Sequence, residues 1–126
     1  SDVYKRQALG GTSAVGRTKT TPVTAVDSLK FAVVSCSNWE WGYFNAYEKI
    51  ANRADVDAVL HLGDYIYEYG RGRYGDTTIR KNLPPHEIIS LQDYRTRHSQ
   101  YRLDKGLKLV RQQHPMIAIW DDHEVA

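Results

Sequence analysis

Two short apolar runs, separated by one amphipathic stretch, constrain this chain more than any other feature. Residues 30–36 read Lys-Phe-Ala-Val-Val-Ser-Cys, and residues 57–62 read Asp-Ala-Val-Leu-His-Leu. Runs this short and rich in β-branched residues predict fully buried strands. Between them, over 43–54, Phe44, Tyr47, Ile50, Ala51 and Ala54 recur at helical spacing. Strand, helix and strand in that order form a βαβ unit, with parallel strands and a right-handed crossover. A third run, Met-Ile-Ala-Ile-Trp at 116–120, predicts a third buried strand.

Composition narrows the class. The chain has 126 residues, enough for about one domain. Its 41% hydrophobic and 25% charged residues fit a globular chain rather than a disordered one. No apolar run approaches the roughly 18 residues of a membrane span. A single cysteine, Cys36, rules out an intrachain disulfide. The first residue is Ser1 and the only methionine is Met116, so the chain reads as a piece of a longer protein. The net charge is only +2, but residues 71–111 hold ten basic and four acidic side chains. That segment reads as a solvated helix face plus a loop, or as a patch that attracts nucleic acid or another phosphate compound.

The remaining segments frame the three strands. Residues 1–29 read as a tail or linker from an upstream domain, with one edge strand over 15–21. Residues 1–7 read as an assembly scar outside the fold. Residues 65–83 form a long loop rich in glycine and aromatics, a length that is usually functional or mobile. Pro84-Pro85 is expected to start a second helix through Ile88, Leu91, Tyr94, His98 and Tyr101. Asp104 is expected to cap a third, which His114-Pro115 ends.

Each strand ends in chemistry. The first ends at Cys36, the second at Asp64 with Tyr67 close behind, and the third at Asp121, Asp122 and His123. Parallel strands point all three ends the same way, and open α/β sheets place their sites outside those carboxyl ends. Thiolate, carboxylate and imidazole together suit transition metals, while a phenolate favours a trivalent ion. A carboxylate between two ions can bridge them, and such a pair activates water and clamps a phosphoryl group. Metal-assisted hydrolysis is the reaction class this suggests.

Gly63-Asp64-Tyr65-Ile66-Tyr67 resembles the Gly-Asp-x-x-Tyr block of metallophosphoesterases such as the purple acid phosphatases. Asp121-Asp122-His123-Glu124 resembles a variant of their Gly-Asn-His-Glu/Asp block. Ser35-Cys36, Gly42-Tyr43-Phe44-Asn45-Ala46-Tyr47, Leu60-His61-Leu62-Gly63-Asp64-Tyr65-Ile66-Tyr67-Glu68-Tyr69-Gly70, Asp93-Tyr94-Arg95 and Ile119-Trp120-Asp121-Asp122-His123-Glu124 are similar to the PhoD family of alkaline phosphatases and phosphodiesterases. The resemblance implies an α/β fold: a calcineurin-like metallophosphoesterase β-sandwich core flanked by helices. Residues 30–126 would be its first half, inactive alone. It implies an Fe³⁺ and Ca²⁺ centre, with other divalent metals possible. Cys36 would be a thiolate ligand of the iron, Tyr67 its phenolate ligand and Asp64 the bridging carboxylate. Asp122 would bind the second metal. His123 would assist the leaving group or steady the phosphoryl oxygens, and Glu124 would orient neighbours.

The substrate implied is a small phosphate mono- or diester, with no nucleic-acid partner. The family's members are commonly exported, which implies an extracellular or periplasmic location. A phospholipase D-like diesterase on the same site is an alternative. So is a non-catalytic phosphate- or nucleotide-binding module, although Ser35-Cys36-Ser37-Asn38 matches no Gly-rich phosphate loop. His61 reads as a core histidine or a support to the ligands. Arg71 and Arg73 steer an anionic substrate or are merely solvated. Asn45 caps the first helix, or the backbone N–H groups of that first turn hold a phosphate oxygen.

Overall fold

The computed structural model describes residues 2–125. Ser1 and Ala126, the outer limits of the two expected segments, lie outside the described residues. The chain opens with an antiparallel arm. Strand β1 (Asp2–Tyr4) pairs with β4 (Gly16–Thr18), and between them β2 (Gln7–Ala8) pairs with β3 (Gly11–Thr12). Leu9 and Gly10 both have positive φ, as a two-residue hairpin turn twisted to match its strands requires. Gly16 has no side chain because the Tyr4 ring fills that space. The reading of 1–7 as outside the fold is therefore corrected from Asp2 onward. The arm is held by main-chain pairing, which leaves no apolar periodicity to read. It is tied to the body by Lys19 Nζ to Asp57 Oδ1 at 2.7 Å.

The body is a three-stranded parallel sheet of β5 (Phe31–Val34), β6 (Ala58–His61) and β7 (Met116–Ala118), in that order. Val34 lies beside His61, and His61 beside Ala118. The three strand ends are thus level. Helices α1 (Asn45–Ala51), α2 (Leu91–Tyr101) and α3 (Lys105–Gln113) complete the fold. Tyr47, Ala51, Val59, Ile66, Ile88, Tyr101, Leu107 and Val110 form its core. α1 packs on α3 so closely that a Cβ at Gly106 would collide with the Phe44 carbonyl oxygen. Asp104 caps α3 as expected, accepting from Leu107 N–H at 3.0 Å.

Several expectations need correcting. Only β6 is buried along most of its length. In β5, Phe31 and Val33 are 49% and 58% exposed, and beyond β6 and in and beyond β7, Leu62, Ile117, Ile119 and Trp120 are exposed as well. Ala32, Val34 and Met116 pack against the core instead. Alternation along each strand sends one set to the core and the other to an open face. Pro84-Pro85 starts no helix; α2 begins six residues later, after Ser90. There, Ser90 Oγ accepts from Asp93 N–H at 3.2 Å and Asp93 Oδ2 accepts from Ser90 N–H at 3.0 Å, a reciprocal capping box. The first helix is shorter than its periodicity and ends at Ala51, before Asn52. Two of the ten basic residues in 71–111, Arg80 and Arg97, are buried rather than solvated. Among the described residues, no helix is long and apolar enough to cross a membrane.

The capping box gives a pH prediction. Hydrogen bonds from Ser90, first its hydroxyl and then its backbone, lower the Asp93 carboxyl from 3.8 to about 2. A depressed acid stabilises above its unfolded value and loses that contribution as pH falls through its folded one. Carboxyl NMR should therefore give a midpoint near 2, with the Ser90 cap persisting at pH 3; a midpoint near 3.8 would show that the box is not formed.

Candidate metal centre

The site is assembled where the three level strands stop. After β5 the chain turns through Cys36, and after β6 through Gly63 and Asp64. Cys36 and Asp64 have φ of 60° and 51°, a left-handed conformation that non-glycine residues adopt at a cost. The two turns support each other: Cys36 N–H donates to Gly63 O at 3.2 Å and Ser37 N–H to Asp64 O at 2.8 Å. Gly63, at φ 105°, is required twice over. Its backbone conformation favours glycine, and a Cβ there would strike Asp121.

Asp64 is the hub. Its Oδ2 accepts from the Tyr67 hydroxyl at 3.0 Å and from the Cys36 thiol at 3.5 Å. Its Oδ1 is buried with no hydrogen-bond partner. A buried carboxylate oxygen left without a donor is costly, and a cation answers that cost. Asp64, Asp122 and His123 each offer a ligand atom within 4.8 Å of the others. All five residues expected at the site, Cys36, Asp64, Tyr67, Asp122 and His123, thus lie in one connected neighbourhood. The donor set of thiol, phenol, carboxylates and imidazole fits a transition-metal centre with a hard second ion. Burial first, and then the hydrogen bond to Asp64, hold the Tyr67 phenol well above its usual range. Cys36 is exposed, not sealed in the core as an inert thiol would be.

His123 is oriented from behind. Its Nδ1 meets Glu68 Oε2 at 2.7 Å, and its ring centre lies 4.2 Å from that of Tyr67. Burial lowers its pKa, but the Glu68 hydrogen bond and the charges of Glu68, Asp64 and Asp122 outweigh burial and raise it. Glu68 has no recognisable role in the sequence, although it directly follows the Gly-Asp-x-x-Tyr block. Only the turn of the loop brings it to His123.

Glu124 has the orienting role expected of it. Its carboxylate accepts from the N–H groups of Asp64 at 3.1 Å, Ile66 at 3.2 Å and Asp121 at 2.6 Å, and also from Tyr65 N–H. One side chain therefore joins the end of β7 to the turn that presents Asp64. Two further residues, not foreseen, stiffen the loop over 65–83. Glu40, fully buried, accepts from Gly72 N–H and Asn82 N–H, both at 2.9 Å. Arg97, also fully buried, donates to the carbonyls of Leu83 at 2.9 Å, Pro84 at 3.2 Å and Tyr67. The loop is therefore fixed at both ends. His61 supports the turns rather than the ligands: it is 1% exposed, with Nδ1 accepting from Gly63 N–H and Nε2 3.2 Å from Ser37 Oγ. Burial lowers its pKa. Arg71 donates to the Asn82 carbonyl at 3.3 Å.

The chain is similar to known proteins. The PhoD-like phosphatase family matches residues 31–126. Alkaline phosphatase D of Bacillus subtilis (strain 168) is 48% identical over 118 residues, 90% of this chain and 20% of that protein. The chain thus spans about a fifth of that relative's length. The solved structure of PhoD matches with a TM-score of 0.88 and 44% identity, covering 98% of this chain and 24% of that one.

The Glu124 clamp yields a prediction. Glu124→Ala leaves four N–H donors without their acceptor and frees the Asp64 turn. Metal titration of the full-length protein should show affinity reduced about 10- to 100-fold, the usual loss when a group supporting a ligand is removed. Unchanged affinity would show that the turn holds its shape without the clamp.

Proposed function

This chain belongs to the PhoD-like phosphatase family, and from that membership we propose that the protein containing it is a metal-dependent phosphoric ester hydrolase. The observation that carries the proposal is the Asp64 carboxylate. One of its oxygens is engaged by Cys36 and Tyr67, and the other is buried and unpartnered, with ligand-type atoms of Asp64, Asp122 and His123 within 4.8 Å of one another. Cys36, Tyr67 and Asp64 would hold a ferric ion, and Asp64 and Asp122 a calcium ion beside it. When bound, such a pair supplies Lewis acidity toward water and toward the phosphoryl oxygens.

The chain's own residues do the positioning. Glu124 and the paired turns fix the Asp64 carboxylate before substrate arrives, so little reorganisation is needed at the moment of reaction. Glu68 takes Nδ1 of His123 and leaves Nε2 for the phosphoryl group, where it holds a proton against the ester oxygen as the bond breaks. Burial of Asp64 and Tyr67 keeps bulk water away from one side of the cluster, which strengthens charge interactions there.

In the full-length protein, Asp64→Ala should reduce hydrolysis of p-nitrophenyl phosphate by at least about a hundredfold. Metal analysis should find iron, with a visible charge-transfer band that Tyr67→Phe abolishes. No bound metal, together with full activity in Asp64→Ala, would falsify the proposal and favour a binding module.

The 126-residue segment by itself should not turn over. Its sheet leaves Phe31, Val33 and Ile117 exposed on one face, a surface that a folded protein of this class covers. Metal-dependent turnover of p-nitrophenyl phosphate by the isolated segment would contradict this.

A further inference from the structure

Beside the metal centre lies a cleft of about 440 Å³ bordered by Cys36 and Tyr67 and walled by Trp41, Tyr43 and Tyr74. We infer that this aromatic shelf is a subsite for a flat, unsaturated ring carried on the phosphoester substrate. The inference rests on the hydrolase reading above and names the class of ester group that site accepts.

Single exposed apolar side chains are ordinary, but here three large aromatics converge on one cleft. Trp41 is 66% exposed, Tyr43 67% and Tyr74 48%. Their backbones are fixed independently of any ligand. Trp41 ends a 3-10 turn (Trp39–Trp41) capped by Asn38, whose Oδ1 accepts from Glu40 N–H at 2.9 Å. The Asn38 amide also donates to the Tyr74 carbonyl at 3.1 Å, binding the two walls together. The rings of Trp41 and Tyr74 meet edge to face at 5.9 Å. Glu40 holds the loop that carries Tyr74 through Gly72 and Asn82. Beneath the shelf, the Arg80 guanidinium lies 4.9 Å from the Tyr43 ring centre and is anchored on Asp104 at 2.8 Å and Gly42 O at 2.8 Å.

The lining decides what the cleft recognises. It contains no acidic residue and no lysine or arginine, so it offers ring faces and edges rather than charge pairing. Stacking on such faces accepts any planar ring. The position decides where the ring comes from. The cleft begins at Cys36 and Tyr67, both hydrogen-bonded to Asp64, so it lies within reach of the ester substituent of a phosphoryl group held at the carboxylate cluster. Preorganised aromatic walls also lower the ordering cost of binding.

Phenylphosphonate and methylphosphonate, which are not hydrolysed, test this by calorimetry on the metal-loaded full-length protein. Phenylphosphonate should bind about tenfold tighter. Trp41→Ala should remove that preference while leaving methylphosphonate affinity and metal content unchanged, and Trp41→Phe should keep most of it. Unchanged metal content and methylphosphonate affinity in Trp41→Ala show that the variant still folds; Tyr43→Ala gives a second, independent removal of the wall. Equal binding of both phosphonates to wild type, or a preference surviving both alanine variants, overturns the shelf and leaves the hydrolase reading intact. Failure of both phosphonates to bind wild type overturns the hydrolase site and the shelf with it.

Discussion

The four N–H groups gathered on Glu124 are the interaction on which the site depends. A carboxylate that accepts several main-chain donors is a strong, charge-assisted anchor. Here the donors belong to two turns distant in sequence: Asp64, Tyr65 and Ile66 after β6, and Asp121 after β7. Without that anchor the left-handed Asp64 would have less to oppose its return to an ordinary conformation. The parallel register brings the strand ends level, and Glu124 converts level ends into a fixed arrangement of ligands.

A second layer of buried charge fixes the long loop. Glu40 and Arg97 are both fully buried and neither forms a salt bridge among the described residues. Each is satisfied by main chain instead: Glu40 by two N–H groups, Arg97 by three carbonyls. Buried ions are expensive to desolvate, and here the compensation is control of a loop that has no regular secondary structure. Burial is what lowers the Arg97 pKa. The same loop carries Tyr67 into the metal centre and Tyr74 into the aromatic wall, so one set of anchors serves both.

Much of this was legible in the residues. The strand-helix-strand order, the parallel sheet and the convergence of Cys36, Asp64, Tyr67, Asp122 and His123 follow from apolar runs and from what stands at their ends. Asp104 was readable as a cap because capping is local. Other features were not. Glu68 and Glu40 look like ordinary surface acids in the sequence, since nothing local marks which acid a loop will turn inward. The arm over residues 2–18 is held by main-chain pairing, to which side-chain periodicity is blind.

Burial of the sheet shows the same division. Phe31, Val33 and Ile117 are as apolar as Val59, yet only Val59 is enclosed. The sequence by itself determined where the three strands of the parallel sheet lie and which side chains sit at their ends, because β-branched content and period are properties of the chain. Which face of the sheet the helices cover, which acids become anchors, and that Asp64 keeps one buried oxygen without a donor were decided only by tertiary structure. Those outcomes depend on which main-chain groups meet across 60 residues of separation, as Asp64 and Glu124 do, and no local pattern encodes that meeting.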